Sequence, residues 1–545
     1  MATLEHVYFA YLLDGTHYSI TTADFAAAEG VSLTVTQNDG MISAKIFAEK
    51  EIVIQAFSAE FRHEFNESDS LFLNGYQSWT DSIEHGLHDK MRGLKLVPAA
   101  LKEKYAFAQY GDYNFTSYPD QYGIMHGWSY GYVRNAAAYT LFASLNEDAG
   151  FTRFKVNTHQ HNLSAKKDCA GLHLSGEYEM ALLFAEGTEK EVFDAYFAAL
   201  SIPPCKAEPI FGYTSWYRHY ENINEQKMLF DLGSVAAQKF PADVFQIDDG
   251  WQTAVGDWLR YDTEKFPSGM ARIAEKIREA NMTAGLWLAP FVCEADSDLF
   301  RTHSTWLLYD EKGEPVRAGS NWSGAYVLDI YNLQVQAYLR EVMKTVTQEW
   351  GYKLLKLDFL YAVCIQPRPD KTRGQIMADA MDFLRECVGD AKILACGVPL
   401  ASVFGKTEYC RIGCDVSLDF DDKPYMRVAH RERISTKNAI LNAVFRRQLD
   451  GRAFRNDPDV FMLRKEENNM TPAQRQMLAE VCGMTGSVLF TSDDMALYDA
   501  DQLRLVQRMR NLRRYAEVTG AELRSEGLVI TLKRGEKQYT RKYKI

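Results

Sequence analysis

The first 200 residues show the alternation of apolar and polar positions that is typical of β-strands. Met41 to Phe57 is rich in β-branched and aromatic residues and follows a turn at Asn38-Asp39-Gly40. A helical run, Lys190 to Leu200, closes this part, and Pro203-Pro204 end the helix. The pattern predicts an N-terminal β domain over residues 1–200, with a domain boundary at the prolines.

From about Phe211 the chain changes to short apolar runs separated by amphipathic helices, the pattern of a parallel sheet with βα repeats. Eight such runs in about 280 residues match the size of a (β/α)8 TIM barrel, which we place at residues 205–500. The predicted strands are Gly212–Trp216, Asp243–Asp248, Ala284–Ala289, Leu354–Asp358, Ile393–Cys396, Tyr409–Ile412, Ala453–Asn456 and Ser487–Thr491. The predicted helices are Glu225–Phe240, Ala271–Ala280, Leu333–Trp350, Gln375–Cys387 and Pro472–Cys482.

A basic helix follows Gln502, and Gly527 to Leu532 then reads as a strand before a Lys-rich tail. This predicts a small C-terminal β domain over residues 501–545. The basic run is interpreted as a solvated helix face, because the chain as a whole is acidic. The predicted fold class is therefore a multidomain combination of β and α/β parts.

Composition and charge narrow the function. The 61 Lys and Arg against 73 Asp and Glu give a net charge of −12, which argues against nucleic acid as a partner. The first 15 residues lack the features of a signal peptide and no run of about 20 apolar residues occurs, so we expect neither secretion nor a membrane partner. Nine cysteines without a CxxC pair favour a reducing, cytoplasmic location. No metal-binding motif is visible, and no cofactor is expected.

Polar residues close several of the predicted barrel strands, at the end where (β/α)8 enzymes place their active sites. They are Asp248 and Asp249 after strand two, Trp287 on strand three, Lys356 and Asp358 on strand four, Cys396 and Gly397 after strand five, and Arg411 and Asp415 around strand six. All of them should converge on one mouth of the barrel. Such clustering would be improbable if the residues served only as helix caps.

Asp358 and Asp415 form the carboxylate pair with which a retaining glycosidase works, one as nucleophile and one as acid. Lys356 lies two residues before Asp358 on the same strand face and should keep that carboxylate ionised, which suits a nucleophile. Asp415 lies on a loop where partial burial beside other acids could hold its proton, which suits an acid and then a base.

Each of these residues also has an ordinary structural interpretation. An Asp after a strand is more often a helix cap or a turn former, and Lys356 could extend its amine to solvent. Trp287 could be barrel core as readily as a platform for a sugar ring. The cysteines are interpreted as packing residues, with Cys396 kept as a candidate wall of the pocket.

Taken together and in order, six motifs make the chain resemble the glycoside hydrolase family 36 α-galactosidases of the compact type. The resemblance covers nearly the whole length. The motifs are Gly75-Tyr76-Gln77-Ser78-Trp79, Gln246-Ile247-Asp248-Asp249-Gly250-Trp251, Gly285-Leu286-Trp287-Leu288-Ala289-Pro290-Phe291, Lys356-Leu357-Asp358-Phe359, Arg411-Ile412-Gly413-Cys414-Asp415 and Arg455-Asn456-Asp457-Pro458-Asp459.

The resemblance implies an N-terminal β-supersandwich, a central catalytic barrel and a small C-terminal β domain, which agrees with the three parts predicted above. It also implies roles. Asp358 stands where the family has its nucleophile and Asp415 where it has its acid/base. The remaining matches concern substrate binding: Asp248 and Asp249 for the axial O4 and the O6 of galactose, Lys356 and Arg411 for ring hydroxyls, Trp287 against the sugar, Trp79 at the edge of the subsite, and Cys396 and Gly397, with Val398 and Pro399, on the wall around C2.

The expected function is that of a retaining α-galactosidase, which hydrolyses terminal α-galactosyl residues by double displacement. Its expected partners are small α-1,6-galactoside oligosaccharides such as melibiose and raffinose. An α-N-acetylgalactosaminidase remains an alternative, because small residues at Cys396 and Gly397 could admit an acetamido group. A catalytically impaired carbohydrate-binding paralogue is the second alternative, and the oligomeric state is left open. Cys414 stands where the compact type is expected to have Pro, so the loop that aims Asp415 should be less rigid.

Overall fold

The N-terminal part forms an antiparallel sheet around one very long strand, Met41–Arg62. The computed structural model describes residues 2–23, 28–238, 241–421 and 430–545, and within them this sheet has 12 strands. The first half of the long strand pairs with Val31–Asn38 and His173–Gly187, and the second half pairs with Thr3–Leu13 and Asn162–Lys167. Alternate side chains of these strands enclose a core rich in Phe, as strands with one buried face should. The other strands are Thr16–Thr21, Ser70–Leu73, Glu84–Gly86, Ile124–Trp128, Tyr130–Asn135, Ala138–Ser144 and Thr152–Asn157.

One region of this sheet shares its apolar core with the barrel. Phe72, Tyr130 and Tyr132 belong to the same buried cluster as the barrel interior. The helix Glu189–Ala199, which begins with a capping box at Thr188, packs into that cluster as well. The N-terminal part is therefore held against the barrel by a continuous hydrophobic core.

The eight predicted barrel strands are all present, within two residues of their predicted bounds, and neighbouring strands pair in parallel. The barrel is nearly closed: strand eight pairs with strand one, and the chain just after strand seven meets strand eight through an isolated bridge between Val460 and Phe490. Predicted residue Trp216 instead begins a short helix. The strands are Ile210–Thr214, Val244–Ile247, Thr283–Leu288, Leu354–Leu357, Lys392–Ala395, Tyr409–Arg411, Arg455–Asp457 and Val488–Thr491.

The predicted helices between the strands are also found, although one predicted end, Phe240, lies outside the described residues. The last of them starts as predicted, with Thr471 accepting a hydrogen bond from the backbone of Gln474 and Pro472 in the first turn. The barrel helices are Trp216–His219, Glu225–Ala236, Met270–Glu279, Asp298–Thr302, Leu333–Lys344 with a π-helical end at Thr345–Glu349, Arg373–Val388, Thr436–Phe445 and Pro472–Thr485. Shorter helical segments are Leu94–Leu96, Ala99–Lys104, Phe107–Gln109, Thr158–Gln160, Ser304–Trp306, Leu360–Cys364, Leu400–Val403, Arg447–Leu449 and Met495–Leu497.

The connection between barrel strands three and four contains a small sheet that the sequence pattern did not predict. Its strands, Val292–Glu294, Arg317–Gly319 and Ala325–Val327, are too short for a periodicity to be visible. The turn between the last two carries Asn321 and Trp322 to the mouth of the barrel. This insertion therefore supplies one side of the cavity described below.

The chain ends in the predicted small β unit. A helix, Ala500–Tyr515, is followed by the antiparallel strands Glu517–Arg524, Gly527–Arg534 and Lys537–Tyr543. Leu528, Ile530 and Leu532 of the middle strand bury their side chains in the same core as the barrel. Within the described ranges, no helix has the length and apolar character that crossing a membrane requires.

Candidate active site

A cavity of about 250 Å³ opens at the carboxyl ends of the barrel strands. Barrel loops, the insertion after strand three and the N-terminal part all contribute to its wall. This volume lies below the range of about 300–1,000 Å³ for pockets that hold drug-sized ligands, and it suits one sugar ring better than a chain of them. The lining residues are Trp79, Tyr105, Phe107, Tyr110, Trp216, Glu221, Asp248, Asp249, Trp287, Ser320, Asn321, Trp322, Lys356, Asp358, Phe359, Asp415, His430, Glu432, Arg433 and Ile434.

Asp358 is fixed at the floor of this cavity by donors on both carboxylate oxygens. The indole Nε1 of Trp287 donates to Oδ2 at 3.1 Å, and the backbone N–H of Phe359 donates to Oδ1 at 2.9 Å. Phe359 has a φ of +54°, which is uncommon for a residue other than glycine and is found most often at functional sites. The result is a carboxylate with a defined direction, of which only 10% of the side chain is exposed.

Lys356 joins Asp358 to the next carboxylate of the cavity. Its Nζ lies 3.0 Å from Asp248 Oδ2 and 3.9 Å from Asp358 Oδ2. Burial acts to lower the pKa of Lys356, but the two carboxylates outweigh it, and the net pKa lies above the usual value. Lys356 is therefore a permanent cation between two acids.

Asp249 is almost completely buried and is held by two side-chain donors. Gln252 Nε2 donates to Oδ1 at 2.6 Å, and Trp322 Nε1 donates to Oδ2 at 2.8 Å. Burial raises the pKa of Asp249 to about 7, although these hydrogen bonds act in the opposite direction. At neutral pH this carboxyl group can accept a proton or release one with little cost.

Asp415 faces the same cavity from the loop after strand six and is more open, with 33% of its side chain exposed. The guanidinium of Arg411 lies beneath it, with Nη2 2.9 Å from Asp415 Oδ1 and 3.1 Å from Asp459 Oδ2. Arg411 is only 2% exposed, so it reaches the cavity through Asp415. The two predicted catalytic carboxylates thus line one hollow, one of them buried and the other accessible.

The N-terminal part closes the cavity with Trp79. Its Nε1 donates to the Sγ of Cys396 at 3.4 Å, and its ring packs edge-on against Phe359. Gly397 has a φ of +57°, and a Cβ added there would lie 2.8 Å from the Trp79 ring. The small residue at Gly397 therefore makes room for Trp79.

The structure brings most of the predicted residues together. Trp79, Asp248, Asp249, Trp287, Lys356, Asp358 and Asp415 line the cavity, whereas Cys396, Gly397 and Arg411 stand one layer behind its lining. Sequence reasoning missed the outer wall, which includes Tyr110, Trp322 and Glu432. Glu432 accepts hydrogen bonds from Thr80 and Tyr113 of the N-terminal part, a contact that no local motif signals.

Comparison with known proteins finds similarity to α-galactosidases. A sequence model of the melibiase family matches residues 205–381. The α-galactosidase Mel36A of Lactobacillus acidophilus is 26% identical over 151 residues, which are 26% of this chain and 20% of that protein. The A type blood α-D-galactosamine galactosaminidase of Flavonifractor plautii is 32% identical over 131 residues, which are 22% of this chain and 12% of that protein. These alignments thus span a fifth or less of the relatives' own length.

A solved structure matches over a much larger part. TtGalA, an α-galactosidase from Thermus thermophilus solved in complex with stachyose, has a TM-score of 0.71 and 28% identity to this chain. The match covers 92% of this chain and 99% of the Thermus chain. The melibiase match over residues 205–381, the relatives and the shared architecture together make this chain similar to the α-galactosidases of glycoside hydrolase family 36.

Proposed function

We propose that this protein is a retaining α-galactosidase that releases terminal α-galactosyl residues from short oligosaccharides. One observation supports the proposal above all others. Asp358 and Asp415, which come from different barrel strands, line a single cavity that suits one sugar ring. Hydrolysis with retention requires a pair of carboxylates, one on either side of the glycosidic bond.

Asp358 is the proposed nucleophile. Trp287 and Phe359 orient its oxygens, and Lys356 Nζ lies 3.9 Å from its Oδ2. One of its oxygens bonds to C1 of the galactosyl ring as the bond from C1 to the leaving oxygen breaks. The product of this step is a covalent galactosyl-enzyme.

Asp415 is the proposed acid and then base. It gives its proton to the leaving oxygen in the first step, and in the second step it takes a proton from the water that attacks C1 and frees Asp358. Its greater exposure supports this role, because both the leaving group and the water must arrive from the solvent side. The galactose is released with the anomeric configuration of the substrate.

Asp248 and Asp249 are the proposed selectors of galactose. Carboxylates accept hydrogen bonds from pairs of hydroxyls, and an epimer with a misplaced hydroxyl leaves a buried acceptor unpaired at a cost of about 1–3 kcal/mol. The proposed substrates are melibiose and raffinose-type α-1,6-galactosides. Structures of the Thermus relative contain stachyose and p-nitrophenyl α-D-galactopyranoside, an oligosaccharide and an aryl α-galactoside.

One further observation bears on the α-N-acetylgalactosaminidase alternative. The name of the Flavonifractor relative gives galactosamine as its substrate. In this chain the ring of Trp79 fills the space beside Gly397, which favours galactose over N-acetylgalactosamine.

The nine cysteines are all unpaired, as in a reducing compartment, so the proposed location is the cytoplasm.

The direct test is an assay of the purified chain on p-nitrophenyl α-galactoside, its N-acetylgalactosaminide counterpart, melibiose and raffinose, with NMR of the anomer formed first. We expect hydrolysis of the galactosides and initial release of α-galactose. Initial release of β-galactose would refute retention, and activity on the N-acetylgalactosaminide alone would refute the substrate. Galactose binding without turnover would identify an impaired paralogue.

A further inference from the structure

A second buried carboxylate, Asp459, shares the arginine that contacts Asp415. Arg411 Nη2 lies 2.9 Å from Asp415 Oδ1 and 3.1 Å from Asp459 Oδ2. Arg411 and Asp459 are 2% and 5% exposed, so neither is screened by solvent, whereas Asp415 opens into the cavity. Arg411 therefore connects the buried Asp459 to the proposed acid.

Asp459 also binds the backbone of the residue immediately after Asp415. Its Oδ2 accepts a hydrogen bond from the backbone N–H of Val416 at 2.8 Å and another from the hydroxyl of Tyr217. Asp459 itself has a φ of +77°, and its own N–H donates to Asp457 at 2.9 Å. A strained backbone held by such contacts indicates that the position of this carboxylate is tightly determined.

These contacts explain how the loop is held without the expected proline. Cys414 donates from Sγ to the carbonyl of Ser435, and the backbone N–H of Ser435 donates to the carbonyl of Asp415 at 2.9 Å. Together with the bond from Val416 to Asp459, they fix the backbone on both sides of Asp415. The stiffness that a proline would give is supplied by hydrogen bonds.

The charges around Asp415 are arranged so that Arg411 is shared between two carboxylates, Asp415 and Asp459. A lone guanidinium against a carboxylate stabilises its ionised form, which opposes its use as an acid. Asp459 competes for that guanidinium and adds a negative charge behind it. Among the described residues, the charge of Asp415 also acts on Tyr217, Tyr220, Cys396 and Cys414.

We propose that Asp459 is a positioning residue for Asp415: it clamps the loop through Val416 and balances Arg411, so that Asp415 can hold a proton until the leaving group takes it. This inference rests on the proposed function, in which Asp415 is the acid and base. Burial raises the pKa of Asp459 to about 6, against the opposing effect of Arg411. Because this value is below 7, most of the carboxylate is ionised in neutral solution.

The test is Asp459→Asn, which keeps an oxygen to accept from Val416 but removes the charge. Asp415 should then lose its proton more readily. We expect the alkaline limb of the kcat/KM profile to move to lower pH by about one unit, the low end of the effect of a charge within 4–6 Å. For melibiose, kcat/KM at pH values above this limb should therefore fall about tenfold. For an aryl galactoside with a good leaving group, kcat/KM should fall less than about twofold.

Asp493→Asn is a matched control. Asp493 is also buried, accepts from two backbone N–H groups and a tyrosine, and lies near an arginine, Arg464. It does not line the cavity. Its variant should share any loss of stability with Asp459→Asn, but its pH profile should match that of the unchanged enzyme.

Tyr217→Phe is the second variant, which keeps the test decisive if Asp459→Asn does not fold. Removing the hydroxyl makes Asp459 easier to protonate, so Asp459 neutralises less of the positive charge of Arg411. The alkaline limb should then move to lower pH by a smaller amount than in Asp459→Asn. An unmoved limb in every folded variant, or equal losses on melibiose and the aryl galactoside, would overturn the inference. Lack of galactosidase activity in the unchanged protein would instead refute the proposed function, so the two failures are distinguishable.

Discussion

Gly397→Ala tests how tightly the N-terminal part closes the cavity. The added Cβ would lie 2.8 Å from Cζ2 and 3.0 Å from Cη2 of Trp79, and 3.1 Å from the backbone nitrogen of Phe359. Real Cβ atoms do not approach a ring this closely, so Trp79 must move. It cannot do so freely, because Phe359 and Tyr361 pack edge-on against its ring with centroids 5.1 and 5.6 Å away.

The expected cost has two parts. Alanine at a φ of +57° is strained by about 1–2 kcal/mol, and overpacking of a filled site adds about 1–3 kcal/mol. We therefore expect Gly397→Ala to lower the free energy of unfolding by about 2–5 kcal/mol. Because the displaced ring belongs to the cavity wall, KM for a galactoside should rise as well.

Urea unfolding and steady-state kinetics measure both effects. Gly535→Ala is the control, since Gly535 has a φ of +59° and nothing within 4 Å of the added Cβ, so this variant should show the strain alone. Adding Trp79→Phe to Gly397→Ala should recover much of the overpacking cost in a double-mutant cycle. If Gly397→Ala costs no more than Gly535→Ala and leaves KM unchanged, the reasoning about this wall is wrong.

Three further predictions concern the carboxylates. Asp415→Ala should abolish turnover of melibiose but spare the first, galactosylation step on an aryl galactoside with an activated leaving group, and equal loss of this step on both would contradict the acid role. Asp358→Ala should leave urea unfolding nearly unchanged while hydrolysis falls below detection; residual activity above about a thousandth would contradict its role as nucleophile. The folded-state pKa of Asp249 is raised to about 7, so this carboxyl group lowers stability as pH rises from about 4 through 7. Asp249→Asn should therefore raise the free energy of unfolding at pH 8 by up to about 4 kcal/mol relative to the unchanged protein, with little effect at pH 4. The same variant should hydrolyse galactosides more slowly. A variant that is less stable than the unchanged protein at pH 8 would contradict the burial argument.

The barrel could be predicted from the sequence because its strands are buried on both faces. Parallel strands of this kind read as continuous apolar runs, and the helices between them have a clear period of 3.6 residues. The polar residues that end these runs, such as Asp248 and Asp358, are then placed by topology alone. The short strands after strand three, including Arg317–Gly319, have no such signature, and the position of Trp322 therefore could not be predicted.

The partners of charged groups were the least predictable part of the site. Arg411 was expected to bind ring hydroxyls, whereas in the structure its guanidinium lies between Asp415 and Asp459. Contacts between residues far apart in sequence, such as Glu432 with Thr80, depend on how two folded parts meet. No local periodicity or spacing carries that information, so such contacts require coordinates.

The central claim is that Asp358 attacks a sugar held in the cavity it shares with Asp415. The most direct measurement is inactivation by a 2-fluoro galactosyl fluoride, followed by proteolysis and mass spectrometry of the labelled peptide. The account predicts one galactosyl group per chain, on the carboxylate of Asp358, and no label in Asp358→Ala. A label on Asp415, Asp248 or any other residue would contradict it.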